Sequence, residues 1–128
     1  MTARMRILCV DDDPDIRTIA VMALGLDPAM EVRSASSGVE AMALLDAGDW
    51  RPDVVLLDVM MPGMDGPTVL ATIRSRGYGN ALPVIFMTAR ARKADVDAYR
   101  DLGAIGVIVK PFDPLALAGE VRALVGSV

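Results

Sequence analysis

The stretch from Val54 to Gly66, which reads VVLLDVMMPGMDG, restricts the possible folds of this chain more than any other. Four apolar residues, VVLL, follow a proline-containing turn and run directly into Asp58. A short apolar run rich in β-branched residues is typical of a strand buried on both faces of a parallel sheet. Such a strand has no use for a carboxylate in its middle, so we predict Asp58 at its carboxyl end, where open α/β sheets bind ligands. The alternative is that Asp58 only ends the strand and caps the following turn.

The composition predicts one domain and argues against several classes of protein. The chain has 128 residues, and we expect residues 1–128 to form a single domain without an output domain. Hydrophobic residues make up 53% of the chain, yet no apolar run approaches the roughly 18 residues of a membrane span, so no membrane insertion is expected. A net charge of −4 offers no basic footprint for direct nucleic-acid binding.

Cysteine and histidine usage narrows the available chemistry. The single cysteine, Cys9, cannot form an internal disulfide, which favours a reducing compartment and predicts a cytoplasmic location. Because Cys9 lies in an apolar run, we expect a buried, inert thiol rather than a nucleophile. The chain has no histidine, so carboxylates, lysine, threonine and the backbone have to supply any acid–base or metal chemistry.

Five short apolar runs predict five strands, which are Arg6–Val10, Glu31–Ser34, Val54–Leu57, Pro83–Met87 and Gly106–Val109. Helical patterns alternate with these runs along the whole chain. This alternation predicts a parallel sheet with right-handed crossovers and helices on both faces. The predicted fold class is therefore α/β, as a single doubly wound (βα)5 domain.

Capping residues mark the starts of three predicted helices, at Asp13-Pro14, the capping box Ser37–Glu40 and Asp113-Pro114. The third helix is predicted to begin around Asp65, with Pro67 in its first turn, and the fourth at Lys93. Helical spacing predicts buried faces that consist of Ile16, Ile19, Ala20, Ala23 and Leu24 in the first helix, Val39, Met42, Ala43 and Leu45 in the second, Val69, Leu70 and Ile73 in the third, and Leu117, Val121, Leu124 and Val125 in the fifth. The fourth helix, Lys93–Leu102, has the weakest apolar pattern.

Residues suited to phosphate or metal chemistry follow four of the five strands. Asp11 and Asp12 follow the first strand, Asp58 the third, Thr88 the fourth and Lys110 the fifth. Carboxyl ends of parallel strands meet at one edge of a sheet, where closely spaced carboxylates repel unless a proton or cation joins them. Ligation by oxygen alone suits Mg²⁺, and a lysine beside such a site suits a phosphoryl oxygen.

Each of these residues also has an ordinary explanation. Acids after the first strand can cap a helix, although Asp13 already serves that purpose and only one acid is needed. Lys110 can be a surface lysine at a strand end, and threonine is a common strand residue. The spacing of the polar residues therefore favours a site without excluding these alternatives.

Four segments together resemble the receiver domain of two-component response regulators. They are ILCVDDDPDIR (Ile7–Arg17), VVLLDVMMPGMDG (Val54–Gly66), VIFMTA (Val84–Ala89) and VIVKPF (Val107–Phe112), and in this order they cover nearly the whole chain. The resemblance implies a flavodoxin-like domain with sheet order 2-1-3-4-5. It also implies a signalling switch in a phosphorelay rather than an enzyme.

By this resemblance, Asp58 is the phosphoacceptor, which takes a phosphoryl group from a sensor histidine kinase or a histidine phosphotransfer protein. The resemblance places Mg²⁺ on Asp12, Asp58 and the backbone carbonyl of Met60, with Asp11 acting mainly through water. Lys110 would contact another phosphoryl oxygen, which follows the general electrostatic logic of phosphoryl transfer. All of these roles are expectations from the family pattern.

The resemblance further implies that Thr88 turns its hydroxyl toward the phosphoryl group, and that the peptide bond between Lys110 and Pro111 is cis. The changed face would comprise the fourth helix, the fifth strand and the fifth helix, and it would bind a downstream protein. Many receivers carry an aromatic residue three positions before the lysine, where this chain has Val107. We therefore expect Thr88 and the following loop, residues 89–93, to transmit the change with little aromatic help.

Three alternatives compete with this interpretation. Phosphatases of the haloacid dehalogenase type carry a second aspartate two residues after the nucleophile, where this chain has Met60. A dinucleotide-binding enzyme would need a glycine-rich turn after the first strand, where acids stand instead. A receiver-like interaction module that no longer takes phosphate is disfavoured by the complete set of polar residues.

Overall fold

The structure is a computed structural model that describes residues 4–79 and 81–126. Its five strands are β1 (Met5–Val10), β2 (Met30–Ala35), β3 (Val54–Asp58), β4 (Val84–Thr88) and β5 (Gly106–Val109). They form one sheet in the order β2-β1-β3-β4-β5, and every neighbouring pair is parallel. The fold class and the strand order are therefore confirmed, and the predicted strands agree with the observed ones to within about one residue at either end.

The helices between the strands are α1 (Pro14–Gly25), α2 (Gly38–Ala47), α3 (Gly66–Ser75), α4 (Lys93–Asp101) and α5 (Leu117–Gly126). The predicted caps Asp13 of α1 and Ser37 of α2 are present as side-chain acceptors of backbone N–H groups, and Asp65, around which the third helix is predicted to begin, caps α3 in the same way. Each cap satisfies donors that a helix start leaves without partners. The chain therefore enters these three helices at the residues that the sequence indicates.

Two predicted helix starts differ in detail from the structure. In the Ser37–Glu40 segment, Ser37 accepts from the backbone of Glu40 as expected, while the Glu40 carboxylate accepts from the hydroxyl of Ser36. Helix α5 begins at Leu117 rather than at Asp113-Pro114. Asp113 instead closes a turn, since its carboxylate and carbonyl accept from the next two non-proline backbone N–H groups.

The core consists of two apolar layers, one on each face of the sheet. Val55 and Leu57 of β3 face the layer covered by α2 and α3, whereas Val54 and Leu56 face the layer covered by α1 and α5. All four residues are fully buried. The VVLL run is therefore buried on both faces, as its composition predicts, and Asp58 follows at the carboxyl end of the strand.

Some predicted core positions are wrong. Ile19 of α1 is 44% exposed and Val39 of α2 is 69% exposed, and Ala43 also lies on the surface. The apolar pattern of these two helices is wider than the arc that the sheet and the neighbouring helices cover, so its margins face solvent. Helix α4 buries none of its residues, and no helix of the described part of the chain is long and apolar enough to cross a lipid bilayer.

Cys9 lies in the middle of β1 and is buried. Burial raises the pKa of its thiol to about 12, and the negative charge of Asp11 acts in the same direction. The residue is therefore a protonated, packed thiol at neutral pH, which confirms the prediction of a buried cysteine without nucleophilic character.

Candidate functional site

Three carboxylates converge where β1 and β3 end. One carboxylate oxygen from each of Asp11, Asp12 and Asp58 lies within 4.8 Å of the others. The two strands are neighbours and pair Val10 with Leu57, so the residues that follow these positions meet at the same edge of the sheet. Asp11 and Asp58 are buried while Asp12 is exposed. The structure therefore brings the three predicted acids together.

Asp11 is held in place by the turn that leads into α1. Its carboxylate accepts a hydrogen bond from the backbone N–H of Asp13 at 3.0 Å. Its carbonyl oxygen accepts from the guanidinium of Arg17 at 2.8 Å, and its N–H donates to the carbonyl of Ala35 at 3.2 Å. Sequence reasoning missed Arg17, which lies six positions after Asp11 on the first turns of the helix and fixes the turn from that side.

Lys110 follows β5, which lies two strands from β3 in the sheet, and its side chain reaches the acids. Its Nζ donates to Oδ2 of Asp11 at 2.8 Å and lies 3.1 Å from Oδ1 of Asp58. The Lys110 side chain is only 18% exposed, and its backbone N–H donates to the carbonyl of Thr88 at 2.9 Å. The peptide bond between Lys110 and Pro111 is cis, as the resemblance implies. The ammonium group therefore bridges two buried carboxylates.

The cluster contains more acidic than basic side chains, and the pKa values of Asp58 and Lys110 are shifted. Burial raises the pKa of Asp58 to about 6, although the hydrogen bond from Lys110 acts to lower it, and the charge of Asp11 raises it further. Burial acts to lower the pKa of Lys110, but its contacts with the two carboxylates outweigh burial and raise that pKa above the usual value. The cluster thus contains three carboxylates and one ammonium group, which contacts two of them, and its excess of acidic groups suits a divalent cation.

The other two predicted residues border the cluster. Thr88 ends β4 and is buried, and its Oγ1 accepts a hydrogen bond from the backbone N–H of Arg90 at 3.1 Å. The backbone of Met60 acts to lower the pKa of the Asp58 carboxyl group, while the Met60 side chain is 78% exposed. The hydroxyl of Thr88 therefore faces its own loop in this structure, and a role for the Met60 carbonyl as a ligand stays a prediction.

Gly66 packs the start of α3 against the end of β3. A Cβ at this position would lie 2.6 Å from the carbonyl oxygen of Asp58 and 2.8 Å from Cα of Val59. The N–H of Gly66 also donates to the carbonyl of Val59 at 2.9 Å. The sequence marks this glycine only as part of a loop, because the contact depends on how closely α3 approaches the strand. Gly66 thus helps to fix the backbone that carries Asp58.

We expect Gly66→Ala to lower the free energy of unfolding by about 3 kcal/mol, because backbone atoms of β3 cannot yield to the new methyl group as a flexible side chain would. Urea denaturation of the wild-type protein and the variant measures this difference in the free energy of unfolding. Gly25→Ala is the matched control, since nothing lies within 4 Å of a Cβ at Gly25 and alanine favours the helical conformation. Equal stability of the two variants would show that the close packing at Gly66 does not constrain the strand end.

Comparison with known proteins gives a consistent result. The family model described as "Response regulator receiver domain" matches residues 7–122. The receiver domain of the putative response regulator NarL from Mycobacterium tuberculosis superimposes with a TM-score of 0.85 at 32% identity, and the alignment covers 99% of this chain and 100% of that one. The chemotaxis protein CheY4 of Vibrio cholerae gives a TM-score of 0.84 at 31% identity, with 95% and 99% covered.

Curated relatives extend beyond the length of this chain. The DNA-binding response regulator MtrA of Mycolicibacterium smegmatis is 38% identical over 125 residues, which is 95% of this chain and 51% of that protein. The response regulator MprA of Mycobacterium leprae is 41% identical over 120 residues, which is 94% of this chain and 50% of that protein. The chain therefore spans about half the length of the curated relatives it matches.

Proposed function

The chain belongs to the response regulator receiver family, and on this basis we propose that it is a phosphorylation-dependent switch whose phosphoacceptor is Asp58. Receiver domains are signalling proteins rather than classical enzymes, and response regulators act with histidine kinases. The observation that carries the proposal is the ammonium group of Lys110, which lies between the buried carboxylates of Asp11 and Asp58. This arrangement supports the proposal, because the carboxylate that would act as the nucleophile lies beside a positive charge at the sheet edge where open α/β sheets bind ligands.

The proposed reaction is a direct phosphoryl transfer. A carboxylate oxygen of Asp58 attacks the phosphorus of a phosphohistidine on the sensor kinase or phosphotransfer protein. The new O–P bond forms as the P–N bond breaks, and the imidazole of the donor leaves with the electron pair. Lys110 lies within reach of the attacking carboxylate, so its ammonium group would stabilise negative charge on a phosphoryl oxygen as the transfer proceeds.

The carboxylates would hold Mg²⁺ beside the acceptor. Asp11, Asp12 and Asp58 offer oxygen atoms within 4.8 Å of one another, so these residues would hold the ion, and the backbone carbonyl of Met60 would be a further ligand. Carboxylate and carbonyl oxygens without histidine or thiolate are the donors that Mg²⁺ prefers. When bound, the ion supplies positive charge that offsets the repulsion between the acids and the incoming phosphoryl group.

We propose that residues 1–128 form one receiver domain whose output is contact with another protein through α4, β5 and α5. Some curated relatives are named as DNA-binding, but this chain spans only about half of their length, and its own net charge is −4. Acidic domains lack the basic surface that contacts phosphates in nucleic acids. We therefore assign no direct nucleic-acid contact to these residues.

Incubation with acetyl phosphate tests the proposal. Intact-mass spectrometry should show one added phosphoryl group in the presence of Mg²⁺ and none in EDTA, because the cluster carries more negative charge than Lys110 neutralises. Calorimetric titration with Mg²⁺ in the absence of phosphate provides the second measurement. Absence of both the adduct and Mg²⁺ binding would overturn the proposal and favour a receiver-like module that acts only by protein contact.

A further inference from the structure

One aromatic side chain of helix α4 packs against the core of the domain. None of its residues is buried, and Tyr99 is its residue that packs against the apolar layer beneath α2 and α3. The ring of Tyr99 meets that of the fully buried Phe86 of β4 edge to face, with centroids 5.2 Å apart and planes at 68°. Such a contact is directional, so a change in the position of α4 also changes the ring geometry.

The two ends of α4 are held very differently. At the amino end, the cap residue Arg92 makes no side-chain capping hydrogen bond. At the carboxyl end, the N–H of Gly103 donates to the carbonyl of Arg100 at 2.9 Å, and the N–H of Ala104 donates to the carbonyl of Tyr99 at 3.1 Å. The amino end is therefore the freer end, whereas backbone hydrogen bonds close the turn at the carboxyl end.

Arg74 of α3 fixes this carboxyl end further. Its guanidinium donates to the carbonyl of Gly103 at 3.2 Å, and also to the carbonyls of Gly79 and Leu82 at 2.7 and 2.6 Å. These acceptors belong to the α3–β4 connection and to the turn after α4. One side chain thus ties the end of α4 to a neighbouring connection, and movement of α4 is expected at its opposite end.

A short loop joins the free end of α4 to the phosphorylation site. Thr88 holds the first part of this loop, since its Oγ1 accepts from the N–H of Arg90 at 3.1 Å. Only residues 89–92 separate Thr88 from α4. A rotation of Thr88 that turns Oγ1 toward Asp58 would withdraw this acceptor from Arg90, and it would release the amino end of α4, where Arg92 provides no side-chain cap.

The aromatic contact lies on the same face of the sheet as Thr88. Phe86 and Thr88 are two residues apart in β4, so their side chains share a face. Val107 of β5 pairs with Phe86 and packs against the same layer as Tyr99. Valine has no aromatic ring, so the ring that contacts Phe86 comes from Tyr99 of α4 instead.

We propose that the position of the Tyr99 ring against Phe86 changes with the phosphorylation state of this chain. The hydrogen bond between the Arg90 N–H and the Thr88 hydroxyl, called the latch below, controls this change. This inference rests on the proposed phosphorylation of Asp58. When Thr88 turns to the phosphoryl group, α4 moves about its fixed carboxyl end, and the contact between Tyr99 and Phe86 changes. The prediction of a change transmitted with little aromatic help is thereby replaced by one in which α4 supplies the aromatic ring.

Fluorine NMR on 3-fluorotyrosine-labelled protein tests the inference directly. The chain has two tyrosines, and Tyr78, whose hydroxyl donates to Asp46 at 2.7 Å, lines a surface cleft with residues that precede β3 and β4. It therefore lies at the opposite edge of the sheet and serves as an internal control. Tyr78→Phe and Tyr99→Phe assign the two resonances. Addition of Mg²⁺ and beryllofluoride, a phosphoryl mimic, should shift the Tyr99 resonance and leave that of Tyr78 in place.

The same spectra report whether the mimic is bound, because beryllofluoride has fluorine resonances of its own. Bound-fluoride signals with an unmoved Tyr99 resonance would overturn the inference and leave the proposed function intact, and equal shifts of both tyrosines would overturn it as well. Absence of bound-fluoride signals would remove the proposed function and this inference with it. At a mimic concentration that gives bound-fluoride signals of wild-type intensity, Thr88→Ala should show no Tyr99 shift, and Thr88→Ser should restore the shift. A full shift in Thr88→Ala would exclude the latch.

Discussion

Replacement of Asp58 by asparagine is expected to abolish the Mg²⁺-dependent phosphoryl adduct, with a loss of at least about 100-fold in yield. The amide has nearly the shape of the carboxylate, so the fold should persist, but it lacks the anionic oxygen that attacks phosphorus. One of the three clustered carboxylates is also lost. Protection by Mg²⁺ against thermal unfolding should therefore shrink, since a cation that binds only the folded state stabilises it according to its affinity.

The control for this variant is Asp65→Asn, which makes the same chemical change seven residues later, at the end of the loop that follows β3. Asp65 is exposed and accepts a hydrogen bond from the backbone N–H of Thr68 at 2.9 Å as the cap of α3, and asparagine caps helices equally well. We expect a normal adduct and normal Mg²⁺ protection for this control. An adduct of wild-type yield in Asp58→Asn, mapped by peptide mass spectrometry to another acid, would contradict the assignment of Asp58.

Lys110→Met should move two measured quantities in opposite directions. Phosphorylation by acetyl phosphate should slow by about 100-fold, because a fixed charge beside the transferring group is lost. Affinity for Mg²⁺ should rise at least about tenfold, since the ammonium group competes for the same carboxylates and repulsion between cations a few Å apart is worth about 1 to 4 kcal/mol. Single-turnover mass spectrometry and calorimetric titration give the two values.

The stability of the same variant should depend strongly on the ion. Without Mg²⁺, the loss of the cation that bridges Asp11 and Asp58 should cost about 3 kcal/mol, because two buried carboxylates remain without their partner. Saturating Mg²⁺ should restore most of this loss. The other lysine of the chain, Lys93, is exposed at the start of α4, and Lys93→Met should change neither stability nor Mg²⁺ affinity. Parallel effects in both lysine variants would show that net charge, rather than the bridge, is responsible.

The strands and the site could be predicted from the sequence for one shared reason. Strands buried on both faces read as continuous apolar runs, and a polar residue at the end of such a run has to leave the sheet at its edge. Asp58 and Lys110 are examples, and both lie where their positions after β3 and β5 predict. Parallel pairing then brings residues that are far apart in the chain to the same edge. The main residues of the site could therefore be predicted from the sequence.

Other features depend on distances that the sequence does not contain. Ile19 continues the helical pattern of α1, but the neighbouring elements do not cover that side of the helix, so the residue is exposed. Gly66 carries no special pattern, and its importance arises from the close approach of α3 to the end of β3. The contact between Tyr99 and Phe86 joins a weakly apolar helix to a strand, and only packing reveals that it holds α4.

The hydrogen bond between Lys110 and Asp11 spans 99 positions of the sequence. One partner is synthesised near the beginning of the described chain and the other near its end, so the charge that balances the reactive carboxylate arrives only after β5 has joined the sheet. A growing chain on the ribosome therefore holds Asp11 and Asp58 without this lysine until most of the domain has emerged. Under the proposed function, competence to accept a phosphoryl group would thus arise late in biosynthesis, and a truncated product that lacks β5 would not withdraw phosphoryl groups from the kinase.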